Sequence, residues 1–252
     1  MKGVVLAGGT GSRLFPLTKV TNKHLLPVGH YPMIFHPIAK LAQAGIHDIL
    51  IVTGTEHMGS VVGVLGSGRS LGLDFTYRVQ DRAGGIAEAL NLAEGFVGGD
   101  RCVVILGDNI LEDDLTPHVQ RFSDQQEGAM VLLKEVPDAQ RFGVAQIEDG
   151  RIVSIVEKPS TPASPFAVTG VYMYDADVFG IVQELKPSGR NELEITDVNT
   201  AYLARGTLEH GILHGWWTDA GTHDSLAYAQ TMAENVILGV FDAQGSYRPA
   251  GH

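Results

Sequence analysis

Cysteine is nearly absent from this 252-residue chain: the single one, Cys102, lies inside the apolar run CVVILGD. An intrachain disulfide is therefore excluded, and the composition suits a reducing, cytoplasmic setting. Buried in a strand, that thiol is expected to be inert. No stretch approaches the ~20 consecutive apolar residues needed to span a bilayer, so no membrane partner is expected. The short apolar run after Lys2 is cut by Gly8, Gly9 and Arg13 too soon for a signal peptide. Proline runs, low-complexity segments and internal repeats are missing as well, which favours one domain over residues 1–252. Basic residues are outnumbered: 18 Lys and Arg against 29 Asp and Glu give a net charge of −11. That excludes a general nucleic-acid binder, because phosphate affinity needs an accessible basic face. Carboxylates in turn are missing from the N-terminus: none precedes Asp48, whereas Lys2, Arg13, Lys19, Lys23 and Lys40 do. A carboxylate-free basic segment on an acidic protein points to a local anion site.

What is present is an ordered alternation. Lys2–Ala7, Asp48–Thr53, Phe75–Gln80 and Arg101–Leu106 are apolar runs of strand length. Helical stretches fall between them from Pro32 to about Ala44, over His57–Leu65 and over Ala87–Glu94. Such alternation implies βαβ units and an α/β fold, a Rossmann-like, largely parallel central sheet with helices on both faces. In the second half, Val144–Glu148 and Ile152–Val156 flank Asp149-Gly150, a hairpin signal. A strand at Val168–Tyr174, helices near Ala176–Glu184 and Ile195–Ala204, a strand near Leu208–Leu213 and a last helix over Ser225–Leu238 follow. Residues 245–252 lack periodicity and are expected to fray. Ligands of open α/β sheets bind beyond the carboxyl ends of the strands, and two such ends, Gly8–Arg13 and Gly107–Asn109, carry the most suggestive residues.

The first is the glycine loop Leu6-Ala7-Gly8-Gly9-Thr10-Gly11-Ser12-Arg13. Glycines there let backbone N–H groups approach phosphate, and Arg13 adds a charged fork. It is not the dinucleotide fingerprint, because Gly9-Thr10-Gly11 is followed by Ser12, Arg13 and Leu14, which rules out a dehydrogenase. Nor is it a P-loop, since no lysine follows the glycines. Alone, the loop reads equally as a tight turn. It is not alone: Pro16, Lys23 and Leu25-Leu26-Pro27 follow, giving GGTGSRLFPLT and then NKHLLP.

Taken together these segments resemble the signature of the sugar-1-phosphate nucleotidyltransferase family, and within it the thymidylyltransferases that act on glucose 1-phosphate. The resemblance runs from about Lys2 to Leu238. It implies transfer of a nucleotidyl group from dTTP to glucose 1-phosphate with release of pyrophosphate, the partners being a nucleoside triphosphate and a sugar 1-phosphate. Leu6, Ala7, Gly8, Gly9 and Gly11 would hold the nucleotide, and Arg13 and Lys23 would be catalytic, stabilising charge on the α-phosphate and the leaving pyrophosphate. Residues 1–110 would mainly bind nucleotide and residues 111–240 mainly sugar phosphate, in a small subregion built on the β-hairpin.

Asp108, ending a strand in ILGDN, and Asp219, in WWTDAGTH, match the aspartates with which the family binds Mg²⁺. Two carboxylates suffice for that ion, which takes its other ligands from substrate and water. A glycosidase would also use two carboxylates, but it would leave the glycine loop unexplained. By the same resemblance Lys158, in Glu157-Lys158-Pro159, binds the phosphate of the sugar phosphate, with Arg190 as a second cation. Glu157, Gly143, Val168 and Gly170 would meet the sugar hydroxyls. Gln80 and Gly85 match the family's contact to a pyrimidine. A glutamine amide can serve both N3–H and O4 of thymine or uracil, although an amide flip would weaken its discrimination against cytosine. The residues leave dTTP against UTP open, and likewise the identity of the hexose and the oligomeric state.

The chain departs from the family pattern at His24 and Glu88, each in place of a usual glutamine, and at Ala220 in place of threonine. It also resembles a short form without the C-terminal helices that help build an allosteric nucleotide site in longer members, so weak feedback regulation is expected. His210 and His214 read as strand histidines rather than a zinc pair. Trp216-Trp217 reads as packing for the Asp219 loop. A non-catalytic nucleotide-sugar sensor on the same fold would have no need to keep Arg13, Lys23, Asp108 and Asp219 together.

Overall fold

In the first strand, β1 (Lys2–Ala7), apolar residues follow one another without alternation because both faces are covered. Val5 and Ala7 pack with Ile38 and Leu41 on one side, and Val4 and Leu6 with Leu90 and Tyr172 on the other. The computed structural model describes residues 1–239, so the segment 245–252 lies outside the described residues. After β1 come a short antiparallel pair, β2 (Pro27–Val28) and β3 (Tyr31–Pro32), helix α1 (Phe35–Gln43), strand β4 (Asp48–Gly54), helix α2 (Met58–Leu65) and strand β5 (Asp74–Gln80). Two short helices, α3 (Ile86–Asn91) and α4 (Glu94–Val97), lead into β6 (Cys102–Leu106). Strands β6, β1, β4 and β5 lie side by side in that order, all parallel, as the alternation predicts.

The second half mixes directions. Strand β7 (Asn109–Leu111) and helix α5 (Thr116–Asp124) precede β8 (Ala129–Glu135), the hairpin β9 (Gly143–Glu148) and β10 (Arg151–Glu157), and the long β11 (Phe166–Tyr174). Helices α6 (Val178–Glu184) and α7 (Ile195–Ala204), strands β12 (Leu208–Ile212) and β13 (Trp217–Asp219), and helix α8 (His223–Met232) complete the described chain. Among the described residues the main sheet has nine strands, running β10-β9-β11-β6-β1-β4-β5 with β8 and β12 branching from β11. β11 is antiparallel to β6, β8 and β9, so it joins the parallel half to the hairpin half.

Three helix boundaries differ from expectation. The helix expected from Pro32 starts at Phe35, because Pro32 pairs with Pro27 in the short sheet. The proline of its first turn is Pro37, where a missing N–H costs nothing. The helix expected over Ala87–Glu94 breaks after Asn91, restarts at Glu94 and stops at Gly98, whose φ of 62° is left-handed. The last helix begins at His223, not Ser225, because Thr222 and Ser225 form a capping box. It ends at Met232, while Leu238, beyond it, is still buried in the core. Strand β8 and helix α5 were not anticipated. Among the described residues no helix is long and apolar enough to cross a membrane.

Candidate active site

The carboxyl ends of β1, β4, β5 and β6 open on one side of the sheet, and a cavity of about 370 Å³ lies there. Gly107 N–H donates to Leu6 O at 2.9 Å, so the glycine loop and the Gly107-Asp108-Asn109 corner are held against each other. Leu6, Gly8, Gly9, Arg13, Lys23, Gln80, Gly85, Asp108, Gly143, Glu157, Lys158, Val168, Gly170, Arg190 and Asp219 all line this cavity. Two residues expected there do not. Ala7 is fully buried in the core, and Gly11, at φ 62°, shapes the loop by capping the short turn Ser12–Leu14 that carries Arg13. Of the N-terminal cations, Arg13 and Lys23 face the cavity. Lys2 pairs with Asp48, and Lys40 donates to the carbonyls of Glu112 and Asp113 at 2.7 and 2.9 Å. Only two of the five cations in the carboxylate-free segment thus line the cavity.

Asp108 and Asp219 meet because β13 pairs antiparallel with β7, setting Asp219 opposite Asn109, with Ala220 N–H donating to Asp108 O at 2.8 Å. Burial would raise the Asp108 carboxyl, but Lys23, with Nζ 2.6 Å from Oδ2, and the Asn109 amide outweigh it and hold it well below the usual range. Asp219 behaves oppositely. Burial and the neighbouring Asp108 charge push it up to about 6, against the pull of Arg141, Arg13 and Lys23. Gly221 lets Arg13 lie close: a Cβ there would stand 2.9 Å from Arg13 Nη2 and 3.5 Å from Asp108 Oδ2.

At the far end, Glu157 closes the hairpin strand β10 and accepts from Thr196 Oγ1 at 2.6 Å and Arg190 Nη2 at 3.4 Å. Arg190 also binds Glu194 at 2.8 Å, and Lys158 Nζ lies 3.3 Å from Glu157 Oε1. Lys158 has φ 42°, a left-handed conformation that costs a non-glycine residue energy. Its N–H donates to Phe142 O at 3.0 Å, which pins the turn. At Gly143 a Cβ would fit tightly, 3.2 Å from Thr196 Oγ1 and 3.4 Å from Glu157 Oε2, so those side chains would have to give by a few tenths of an ångström.

Several lining residues were not singled out from sequence. Arg141, in the RFGVAQ segment, reaches Asp219 Oδ1 at 3.1 Å and also pairs with Asp138. Glu192, Glu194 and Thr196, which follow Arg190 in the segment GRNELEITDVN, line the cavity too. Asn109 is nearly fully buried. Its Oδ1 accepts from Gly170 N–H at 2.8 Å and from Trp217 Nε1 at 2.7 Å, so Trp217 does pack the Asp219 loop as expected. His24 is buried and held neutral, its ring lowered to about 3 by burial and by Lys23, with Nδ1 2.7 Å from Asn22 Oδ1. Cys102 is fully buried, and burial raises its thiol to about 12, which leaves it unreactive.

A sheet whose strand ends gather a glycine loop, two aspartates and cations at both ends of one cavity is the arrangement of a nucleotidyltransferase. The nucleotidyl transferase family profile matches residues 2–236, and the chain belongs to that family. A curated glucose-1-phosphate thymidylyltransferase from Neisseria meningitidis serogroup A is 43% identical over 240 residues, covering 94% of this chain and 83% of that protein. A Bacillus anthracis protein, named a candidate glucose-1-phosphate thymidylyltransferase and crystallised with a sucrose, is 62% identical with a TM-score of 0.91. The match covers 94% of this chain and 96% of that one. A UDP-glucose pyrophosphorylase solved with UDP-glucose is 26% identical at a TM-score of 0.81, covering 92% and 97%.

Proposed function

We propose that this chain joins the thymidylyl group of dTTP to glucose 1-phosphate, forming dTDP-glucose and pyrophosphate. The observation that carries this reading is the two-ended charge of one cavity. Arg13, Lys23, Asp108 and Asp219 gather beside the glycine loop, and Lys158 and Arg190 stand beside Glu157 at the hairpin end. The sugar-phosphate oxygen attacks the α-phosphorus in line, the bond from that phosphorus to the bridging oxygen breaks, and its electron pair leaves with pyrophosphate. The nucleophile is already an anion, so no general base is needed. Lys158 and Arg190 hold it, and Arg13 and Lys23 stabilise the charge passing to the leaving group.

The two aspartates fit a magnesium ion. They converge closely enough for the charge of Asp108 to raise Asp219. Two carboxylates are enough for that ion, which takes its other ligands from substrate oxygens and water. Bound there, magnesium would offset the mutual repulsion of the two phosphates and orient them.

The test is pyrophosphate release from a matrix of dTTP, UTP, CTP, ATP and GTP against several hexose 1-phosphates, with magnesium or with excess chelator. Release with dTTP and glucose 1-phosphate that chelator abolishes is the expected result. Thymine and uracil differ by one methyl group, worth roughly 1 kcal/mol in an apolar pocket, and UTP also carries a 2′-hydroxyl, so the UTP column measures how sharply base and sugar together are read. Silence across the matrix from protein that still binds nucleotide sugars would overturn catalysis in favour of a sensor.

A further inference from the structure

Gln80 ends β5 with only 8% of its surface exposed, and the surroundings of its amide are asymmetric. Its Nε2 lies 3.3 Å from Gly85 O and 3.4 Å from Glu88 Oε1. Neither partner carries a hydrogen: one is a backbone carbonyl and the other a carboxylate. A flipped amide would place its own oxygen against both, so the nitrogen must face them and both its protons are committed. Glu88 is held in turn, since Arg82 Nη2 donates to its other oxygen at 2.6 Å. The Gln80 oxygen points the opposite way, to within 2.7 Å of where a Cβ on Gly8 would stand, on the wall of the cavity.

Resting on the proposed nucleotide site, we infer that Glu88 is a positioning residue for base selection: by fixing the Gln80 amide it presents an acceptor alone to the base, admitting pyrimidines with a proton on N3 and rejecting cytosine. Gln80 then accepts N3–H of thymine or uracil. With its own protons spent on Gly85 and Glu88, it leaves donation to O4 to the Gly85 backbone N–H. Cytosine, unprotonated at N3, meets an acceptor with an acceptor, and no flip of the amide can accommodate it without breaking two hydrogen bonds. The link of Arg82 to Glu88 to Gln80 thereby removes an ambiguity that a glutamine on its own would leave.

The experiment titrates dTTP and dCTP separately into wild type, Glu88→Ala and the isosteric Glu88→Gln by calorimetry, with pyrophosphate release followed in parallel. The quantity read is the ratio of the two affinities on one preparation, in which any loss of folded protein cancels. Wild type is expected to prefer dTTP. The preference should fall about tenfold in Glu88→Ala and by less in Glu88→Gln, which keeps an acceptor but also offers a donor. A wild type indifferent to the two bases, or a ratio unchanged in both variants, overturns the inference. A wild type that shows the expected ratios but releases no pyrophosphate supports the lock while overturning the catalytic reading, so the two failures are distinct.

Discussion

Lys23 and Asp108, 85 positions apart, meet at 2.6 Å between Nζ and Oδ2, with 13% and 11% of their side chains exposed. Burying two charges side by side is costly, and the cost is tolerable only while both are present. The pair also places a cation beside the carboxylate expected to hold a metal, at the end of the cavity where the leaving group would gather charge. Asp108→Asn should therefore lower turnover by at least about 10²-fold. Lys23→Ala should do the same and, by leaving Asp108 unpaired, lower stability by about 3 kcal/mol or more. Pyrophosphate release and thermal melting of both variants check this. Retained turnover in Asp108→Asn would remove the aspartate from the chemistry.

Asn109 is a hub rather than a ligand. Its Oδ1 accepts from Gly170 N–H and Trp217 Nε1, while Nδ2 donates to Asp108 Oδ1 at 3.1 Å. One side chain thus ties β11, β13 and the first aspartate together. Asn109→Ala is expected to cost about 2–4 kcal/mol, because buried donors on Gly170 and Trp217 lose their partner. Turnover should fall as well, since Asp108 loses a donor that orients it. Denaturant unfolding of the variant, set against its kinetics, separates the two effects. A variant as stable as wild type would mean that water replaces the amide.

The parallel half of the fold was legible because strands buried on both faces announce themselves: VVLA, ILIV and CVVIL admit little else. The hairpin was legible from Asp149-Gly150, and both residues do take positive φ. Strand β8 carries a comparable signal in AMVLLKE, whose first five residues are buried. What no local pattern could show was the pairing of β7 with β13. Two strands of three residues, more than a hundred positions apart, bring Asp219 opposite Asn109, and that register is a property of the closed fold. Resemblance to a family, not periodicity, gathered the two aspartates in advance. Arg141 escaped because an arginine beside a phenylalanine has no signature until Asp219 is placed next to it.

Gly85 stands at φ 102°, a conformation that favours glycine, and a Cβ there would lie 2.4 Å from Leu193 O. The contact is with backbone, fixed by hydrogen bonds from Leu193 N–H to Gly84 O and from Ala87 N–H to Leu193 O. Neither side can give cheaply. Gly85→Ala should destabilise the protein by about 2 kcal/mol or more and weaken nucleotide affinity more than sugar-phosphate affinity, because the loop that moves faces Gln80. Calorimetric titration with dTTP and with glucose 1-phosphate reads that asymmetry. Equal losses for both would place the effect in the fold as a whole.

His36 gives a stability prediction independent of catalysis. Its ring is nearly fully buried in the first turn of α1, Nε2 lies 3.0 Å from Val28 O, and burial, helped slightly by Lys40, lowers its pKa from 6.5 to about 4. In the unfolded chain the ring takes up a proton as pH falls through 6.5, whereas in the folded chain it stays neutral until about 4. The unfolded state therefore binds more protons throughout that window, and stability rises with pH across it. Above pH 6.5 this contribution is constant; by pH 4 it has cost about 3 kcal/mol. His24, lowered to about 3, adds a loss of the same sign that extends further into acid. His36→Gln, which retains a donor for Val28 O but cannot titrate, should lessen the slope between 6.5 and 4, leaving the part due to His24, without shifting the plateau above 7 by a comparable amount. Urea unfolding of both proteins over this range decides the matter. Parallel profiles would show that His36 takes up its proton at the same pH folded and unfolded, and that its burial is not what makes the fold sensitive to acid.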